Sequence, residues 1–375
     1  MSEPPTFEVE YIELPMAPAE PLPEEFSSSR LKRSLLVLGG IVLVVVAAIV
    51  LVPGLGSLRD RFAGAQPGWL VLAAVLQLGS CASYVLVFRA VFCRRMSWRT
   101  STEIGLSELA ANSIFSIGGA GGLALGAWIL RRGGLATAFI ARRTVAFFLL
   151  TSLANVGFLI LGSLALASGL LNGSPGFVLA VVPAVVGALA VALAVAARRV
   201  AGALAERSVR ARITAAAEAV GAGVDEALTL LRSRDLALVI GAAGYLLFDV
   251  AMLGVCFPAF GNDIPPVGVL LVAYIIGQLG GLIPIPGGIG GIDAGLIGTL
   301  VIYGVDATDA AVAVIAYRGL LLAIPALLGL PALAVLRRRL NSEAHDIAAC
   351  APGESVEVLG RGLVQGAQVR ARPVG

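Results

Sequence analysis

The residues best suited to binding chemistry lie in the stretch IPIPGGIGGID, residues 283–293. Pro284 and Pro286 interrupt any helix there, and the glycines that follow permit backbone angles that other residues avoid. These glycines are Gly287, Gly288, Gly290 and Gly291. Irregular backbone at membrane depth is tolerated only where protein buries its polar groups or where they line a water-filled cavity. The stretch therefore predicts a site within the membrane.

A buried arginine follows this stretch in the last apolar segment. Arg318 would lie near the bilayer centre, where an arginine costs about 2.5–3.5 kcal/mol on insertion scales and needs a partner or water. Asp249 and Asp293 are the candidate acids. One interpretation is a structural ion pair that fixes the broken stretch. The other is that Arg318 holds an anionic headgroup, since a planar guanidinium suits phosphate. The two interpretations are compatible.

A second glycine-rich break, GGAGG, occupies residues 118–122. Its glycines are Gly118, Gly119, Gly121 and Gly122. Short apolar segments flank it, and arginines stand at both outer ends, which favours a helical hairpin that enters the membrane from the cytoplasm and returns there. The alternative for both breaks is a close helix contact of the G-x-x-x-G type.

Four further polar residues complete the predicted substrate site. Asn112 and Gln278 lie near the two breaks, although such residues also join helices. Tyr317 precedes the buried arginine. Arg143 begins another span, where it either anchors the helix by extending to the interface or contacts a lipid headgroup.

Composition defines the class of protein. Of the 375 residues, 58% are hydrophobic and 14% are charged, against about 25% charged residues in soluble domains. The only lysine, Lys32, has no Walker A context, and the only histidine, His345, cannot build a metal cluster or a catalytic triad. We therefore expect no enzyme, cofactor, metal or nucleic-acid partner, and we interpret the four cysteines as packing residues.

The pattern predicts an all-α multi-pass membrane protein with about six full spans and two opposed re-entrant hairpins. A disordered acidic tail is expected over residues 1–29, a transmembrane domain over 30–340, a cytoplasmic amphipathic segment over 198–234, and a C-terminal tail over 341–375. Basic residues at the span ends place both termini in the cytoplasm of a cell-membrane protein. The predicted full spans are 34–52, 69–92, 138–167, 177–197, 236–260 and 310–336.

The two halves, about 34–168 and 177–336, repeat one order of elements. Each contains two spans, a glycine-rich hairpin, and a span with an arginine near its start, and the halves run in opposite directions across the membrane. Interrupted segments at matching positions of inverted halves are typical of a transporter's substrate site.

The motif PIPGGIGGIDAGL at Pro284–Leu296, followed by Gly304 and by YRG at Tyr317–Gly319, resembles the transmembrane region of lysylphosphatidylglycerol synthases, a flippase-like family. That family usually has Glu where this chain has Asp293. In the first half, Asn112, Gly122 and Arg143 align with it, whereas the usual Pro, Gly-Glu and Arg are replaced by SIGGAGGLALGAW. The resemblance covers about residues 34–340. The resemblance does not extend to the soluble aminoacyl-transfer domain of the synthases, so we do not expect this chain to lysylate lipids.

The resemblance implies a protein that moves or handles amphipathic lipids. Our hypothesis is a translocator of an anionic phospholipid or an isoprenoid-phosphate-linked lipid, with membrane lipids as its partners. One alternative is a secondary transporter of a small solute. The other is a non-transporting scaffold for a lipid-modifying or glycosyl-transferring enzyme, which would dock on residues 198–234.

Overall fold

Apolar helices form most of the part of the chain that the computed structural model describes. The described residues are 7–13, a few positions between 36 and 47, 56–114, 120–168, 181–189, 211–233, 235–282, 288–350, 363–364 and 367–373. Several predicted features lie outside them: most of the 34–52 and 177–197 spans, and the break residues Gly118, Gly119, Pro284, Pro286 and Gly287.

Ten helices are given labels here. They are α1 (Gly56–Ala63), α2 (Pro67–Phe92), α3 (Trp98–Ile114), α4 (Ala120–Arg132), α5 (Thr137–Ala167), α6 (Ala211–Arg232), α7 (Leu236–Val255), α8 (Val267–Leu279), α9 (Gly291–Ile302) and α10 (Ala307–Ala348). Local sequence explains several boundaries. Pro67 opens α2, where its missing N–H is not needed. The Asp235 carboxylate accepts from the N–H of Ala237 at 2.9 Å and so caps α7. Short 3-10 turns follow α7 and α8.

Four of these helices, α2, α5, α7 and α10, are long and apolar enough to cross a membrane. Two others, α8 and α9, are apolar but too short to cross, with 13 and 12 residues against the roughly 20 that a span requires. The prediction of an all-helical multi-pass membrane protein is confirmed for the described residues between 56 and 350. The count of six spans stays a prediction.

The prediction of a disordered N-terminal tail is wrong for residues 7–13. Residues 7–13, expected to be disordered, form strand β1, which pairs antiparallel with β3 (Ala367–Pro373), and β3 also pairs with β2 (Leu363–Val364). The sequence FEVEYIE alternates polar and apolar residues with the period of a strand, a signal that an argument from composition overlooks. The last helix continues to Ala348, and its part that is long and apolar enough to cross a membrane ends at Arg339, beside the end of the predicted transmembrane domain at residue 340.

The helix contacts of the first half recur in the second half. The spans that directly precede the hairpins, α2 in the first half and α7 in the second, pack along each other more extensively than any other described pair. The hairpin helices pair within each half, α3 with α4 and α8 with α9. Each half's last span packs on the other half's hairpin, so that α10 contacts α3 and α5 contacts α8. Each helix of the first half therefore makes the same kinds of contact as its counterpart in the second half, as expected for a structural repeat.

One glycine permits the contact between α10 and α3. A Cβ added at Gly329 would lie 2.0 Å from the carbonyl oxygen of Leu106 and 2.5 Å from the Cβ of Ala110. Because backbone cannot yield as a flexible side chain can, we expect Gly329→Ala to destabilise the protein by about 1–3 kcal/mol. The matched control is Gly319→Ala on the same helix, where nothing lies within 4 Å. Thermal unfolding in detergent should show a lower Tm for the first variant alone, and equal Tm values would contradict the packing role.

The C-terminal end of α10 docks at the base of the α3–α4 hairpin. The Asp346 carboxylate accepts hydrogen bonds from Thr100 Oγ1 at 2.6 Å and from the Ser97 N–H at 3.0 Å. Burial alone would raise the pKa of Asp346, but these hydrogen bonds outweigh it and lower that pKa below its ordinary value. Cys350 forms a disulfide with Cys93 at the end of α2. The interpretation of every cysteine as a packing residue is therefore wrong for this pair, because a separation of 257 residues along the chain hides their proximity in the fold.

Candidate functional site

The predicted arginine–carboxylate pair is present and involves Asp293. The Nε atom of Arg318 donates to Asp293 Oδ1 at 2.8 Å, and the arginine is 6% exposed. The sequence left Asp249 and Asp293 as alternative partners for the arginine. The structure pairs it with Asp293, since α9 begins directly beside α10 and its first turn faces Arg318.

Asp293 also fixes the end of the broken stretch. Its second oxygen, Oδ2, accepts from the N–H of Gly290 at 2.7 Å, which holds the first turn of α9. Gly288 and Gly290 have positive φ angles of 63° and 92°, a conformation that only glycine adopts without strain. An added Cβ at Gly288 would lie 3.5 Å from Arg318 Nη2. The glycine backbone therefore reaches the guanidinium at close range.

A close backbone contact closes this second hairpin. A Cβ at Gly280, just after α8, would lie 2.1 Å from the carbonyl oxygen of Gly291 at the start of α9. Further along, Gly295 and Gly277 also approach closely, with 3.0 Å from the added Cβ of one to the Cα of the other. Close glycine packing, which the sequence left as the alternative to an open site, is thus part of the arrangement and coexists with the arginine pair.

Asp249 lies in a different environment from the one predicted. Its carboxylate, 1% exposed, accepts from the Tyr274 hydroxyl at 2.8 Å. The Ser80 side chain lies beside it, but the Ser80 hydroxyl is aligned with the Tyr245 carbonyl at 3.5 Å. Tyr317 is completely buried within electrostatic reach of Asp249. Asp249 and Tyr317 therefore form a buried polar group with Tyr274, which sequence reasoning missed as a partner.

Three other predicted site residues, Asn112, Arg143 and Gln278, have surroundings of their own. The Asn112 side-chain oxygen accepts from the Gly122 N–H at 2.7 Å and so ties α3 to α4. Arg143 donates to the Val91 carbonyl at 2.6 Å and contacts Glu226 of α6 at 3.2 Å. Gln278 is half-buried at the end of α8.

Glu108 of α3 is a second buried acid, in addition to Asp249. It is 1% exposed and accepts from the Tyr84 hydroxyl at 2.8 Å. An added Cβ at Gly126 would lie 1.5 Å from its Oε1 atom, so α4 leaves room for the acid by having glycine there. The sequence carries one signal for this pair. Tyr84 and Glu108 are 24 residues apart along the chain, and Asp249 and Tyr274 are 25 residues apart.

A cavity of about 650 Å³ opens near Arg143, where α2 ends and α7 begins. Arg94, Arg143, Ser233 and Asp235 supply its polar lining, and Arg94 forms an ion pair with Asp235. The lining contains no residue of the Arg318 pair, so the cavity is a separate feature.

The profile of the family described as the lysylphosphatidylglycerol synthase TM region matches residues 37–329. The chain belongs to this family. The match contains both glycine-rich breaks, Arg318 and its aspartate partner, and all four candidate spans except the end of α10. The suspected family is thereby confirmed, and the chain is a multi-pass membrane protein related to lipid biology. A comparison with curated proteins found no match.

Proposed function

We propose that the protein is a translocator of anionic lipids in the cell membrane, with both termini in the cytoplasm. The headgroup would bind at Arg318 while the acyl chains stay in the surrounding lipid. The two hairpins would enter from opposite leaflets, and the described end of the break, residues 288–291, would face the headgroup. Membership of a family of lipid-handling membrane domains supports the proposal.

The observation that carries the proposal is the pairing of a buried arginine with the start of α9. A guanidinium and the N–H groups at a helix start both attract phosphate. Gly288 brings the backbone of the break close to the guanidinium, as given above. In the structure Arg318 is paired with Asp293. An arriving phosphate would therefore compete with this carboxylate for the guanidinium, and displacement of Asp293 would release the first turn of α9.

An assay of lipid sidedness tests the proposal. The purified protein is reconstituted in phosphatidylcholine vesicles that contain a small share of acyl-labelled phosphatidylglycerol, and a membrane-impermeant quencher reports the share of label in the outer leaflet. We expect the protein to accelerate exchange at least tenfold over protein-free vesicles. Uptake of a small solute without lipid exchange would support the transporter alternative instead. Unchanged exchange together with no uptake would support a scaffold.

A further inference from the structure

Two buried acid–phenol pairs occupy matching positions in the two halves. Tyr84 of α2 donates to Glu108 of α3, and Tyr274 of α8 donates to Asp249 of α7, both at 2.8 Å. Each pair joins the span that precedes the hairpin of its half to the first helix of that hairpin. The acid and the phenol have exchanged places between the halves, since the acid lies on the hairpin in the first half and on the span in the second.

The interface between α2 and α7 connects the two pairs. The rings of Tyr84 and Tyr245 lie 5.5 Å apart across that interface, and Tyr245 lies one helical turn before Asp249. The hydroxyl of Ser80 and the thiol of Cys81 lie beside the same turn of α7. A row of groups that carry exchangeable protons thus runs through the centre of the helix bundle, from Glu108 to Asp249.

Neither acid has a basic partner among the described residues. The groups that face Asp249 are Tyr245 on its own helix, Cys81 of α2, Tyr274 of α8 and Tyr317 of α10. Glu108 faces Tyr84, and α4 presents Gly126 to it. An ionised carboxylate buried without a cation is costly at membrane depth. Proton binding removes that charge.

Two buried polar atoms at the Asp249 end of this row make no hydrogen bond in the described part of the chain. In the part of the chain that the structure describes, Asp249 Oδ1 and the Tyr317 hydroxyl are buried without a hydrogen-bond partner. A protonated carboxyl can donate as well as accept, so a proton on Asp249 would let its unpaired oxygen donate to a neighbouring hydroxyl. Tyr317 lies within electrostatic reach of both Asp249 and Arg318, which brings this cluster near the proposed headgroup site.

We propose that Asp249 and Glu108 are the proton-binding groups of the translocator, and that a proton crosses together with the anionic headgroup. This inference rests on the proposed function. The step forms an O–H bond on a carboxylate and later breaks the same bond, so no other reactant is consumed. Neutralising Asp249 reduces repulsion of a phosphate held at Arg318, and each ligand therefore strengthens binding of the other.

A pH gradient across the vesicles described above tests the proposal, with the membrane potential clamped by potassium and valinomycin. Acid on one side should drive labelled phosphatidylglycerol toward the opposite leaflet severalfold beyond its distribution without a gradient. Asp249→Asn and Glu108→Gln should abolish this bias. The matched control is Asp263→Asn, which alters an exposed carboxylate in the α7–α8 connection and should keep the full bias.

The two proposals fail in different ways. Wild-type exchange at equal rates with and without the gradient, and without bias, overturns proton coupling while translocation stands. No exchange in any condition overturns translocation itself. Infrared spectra of the purified protein give a readout that requires no transport. At neutral pH a protonated-carboxyl band should be present and should weaken in Glu108→Gln. In mildly acidic buffer the band should grow, this growth should be smaller in Asp249→Asn, and Asp263→Asn should change neither. A wild-type spectrum without that band overturns the proton-binding role.

Discussion

Replacement of Arg318 by alanine is expected to slow lipid exchange by roughly ten- to a hundredfold. Hydrogen bonds to charged groups contribute about 1.5–3 kcal/mol each, and a factor of ten corresponds to about 1.4 kcal/mol. Arg318→Lys should restore exchange only in part, because an ammonium keeps the charge but loses the planar fork that suits phosphate. The measurement is the initial rate of lipid exchange per reconstituted molecule.

Loss of folding must be separated from loss of binding in this experiment. Breaking a buried ion pair by removing one partner costs about 3–5 kcal/mol, whereas removing both partners costs less. The double variant Arg318→Ala with Asp293→Ala should therefore recover much of the stability that Asp293→Ala loses. It should not recover exchange if the arginine binds the headgroup.

Arg61 provides a matched control for the arginine substitution. It forms an ion pair with Asp309 at 3.1 Å at the start of α10, and its side chain is 42% exposed. An exposed pair of this kind contributes about 0–1 kcal/mol, so Arg61→Ala should leave exchange nearly unchanged. A stable Arg318→Ala protein that exchanges lipid at the wild-type rate would contradict the proposed site.

Gly280→Ala is expected to destabilise the protein by about 3 kcal/mol and to abolish exchange. Its added Cβ would lie 2.1 Å from Gly291 O and 2.3 Å from Gly291 C. Since both atoms are backbone, α9 must move as a unit, and overpacking of this kind costs about 1–3 kcal/mol or more. Asp293 lies in the first turn of α9 and would move away from Arg318.

The control for this variant is Gly298→Ala within α9, where nothing lies within 4 Å of the added Cβ. Alanine is favoured over glycine in helices by about 1 kcal/mol, so this variant should be neutral or slightly more stable. Tm values in detergent and exchange rates in vesicles check both variants. Equal behaviour of Gly280→Ala and Gly298→Ala would show that the second hairpin does not need its close backbone contact.

The sequence by itself determined the class of protein, the approximate helices and the residues at the second break. These follow from local rules: apolar runs of about 20 residues predict spans, and prolines and glycines predict where a helix stops. Arg318 was identified because a charge in an apolar run is costly wherever the chain folds. The exact partner did not follow, because Asp249 and Asp293 satisfied the same local rule.

Only the tertiary structure decided which groups meet. It assigned Asp293 to Arg318, paired Asp249 with Tyr274 and Glu108 with Tyr84, and joined Cys93 to Cys350. Spacing along one helix shows which residues share a face, but it does not show which helix covers that face. The choice depends on where a glycine leaves room for a neighbouring helix, for a side chain at Gly126 and for backbone at Gly280 and Gly329, and that is a property of two helices together.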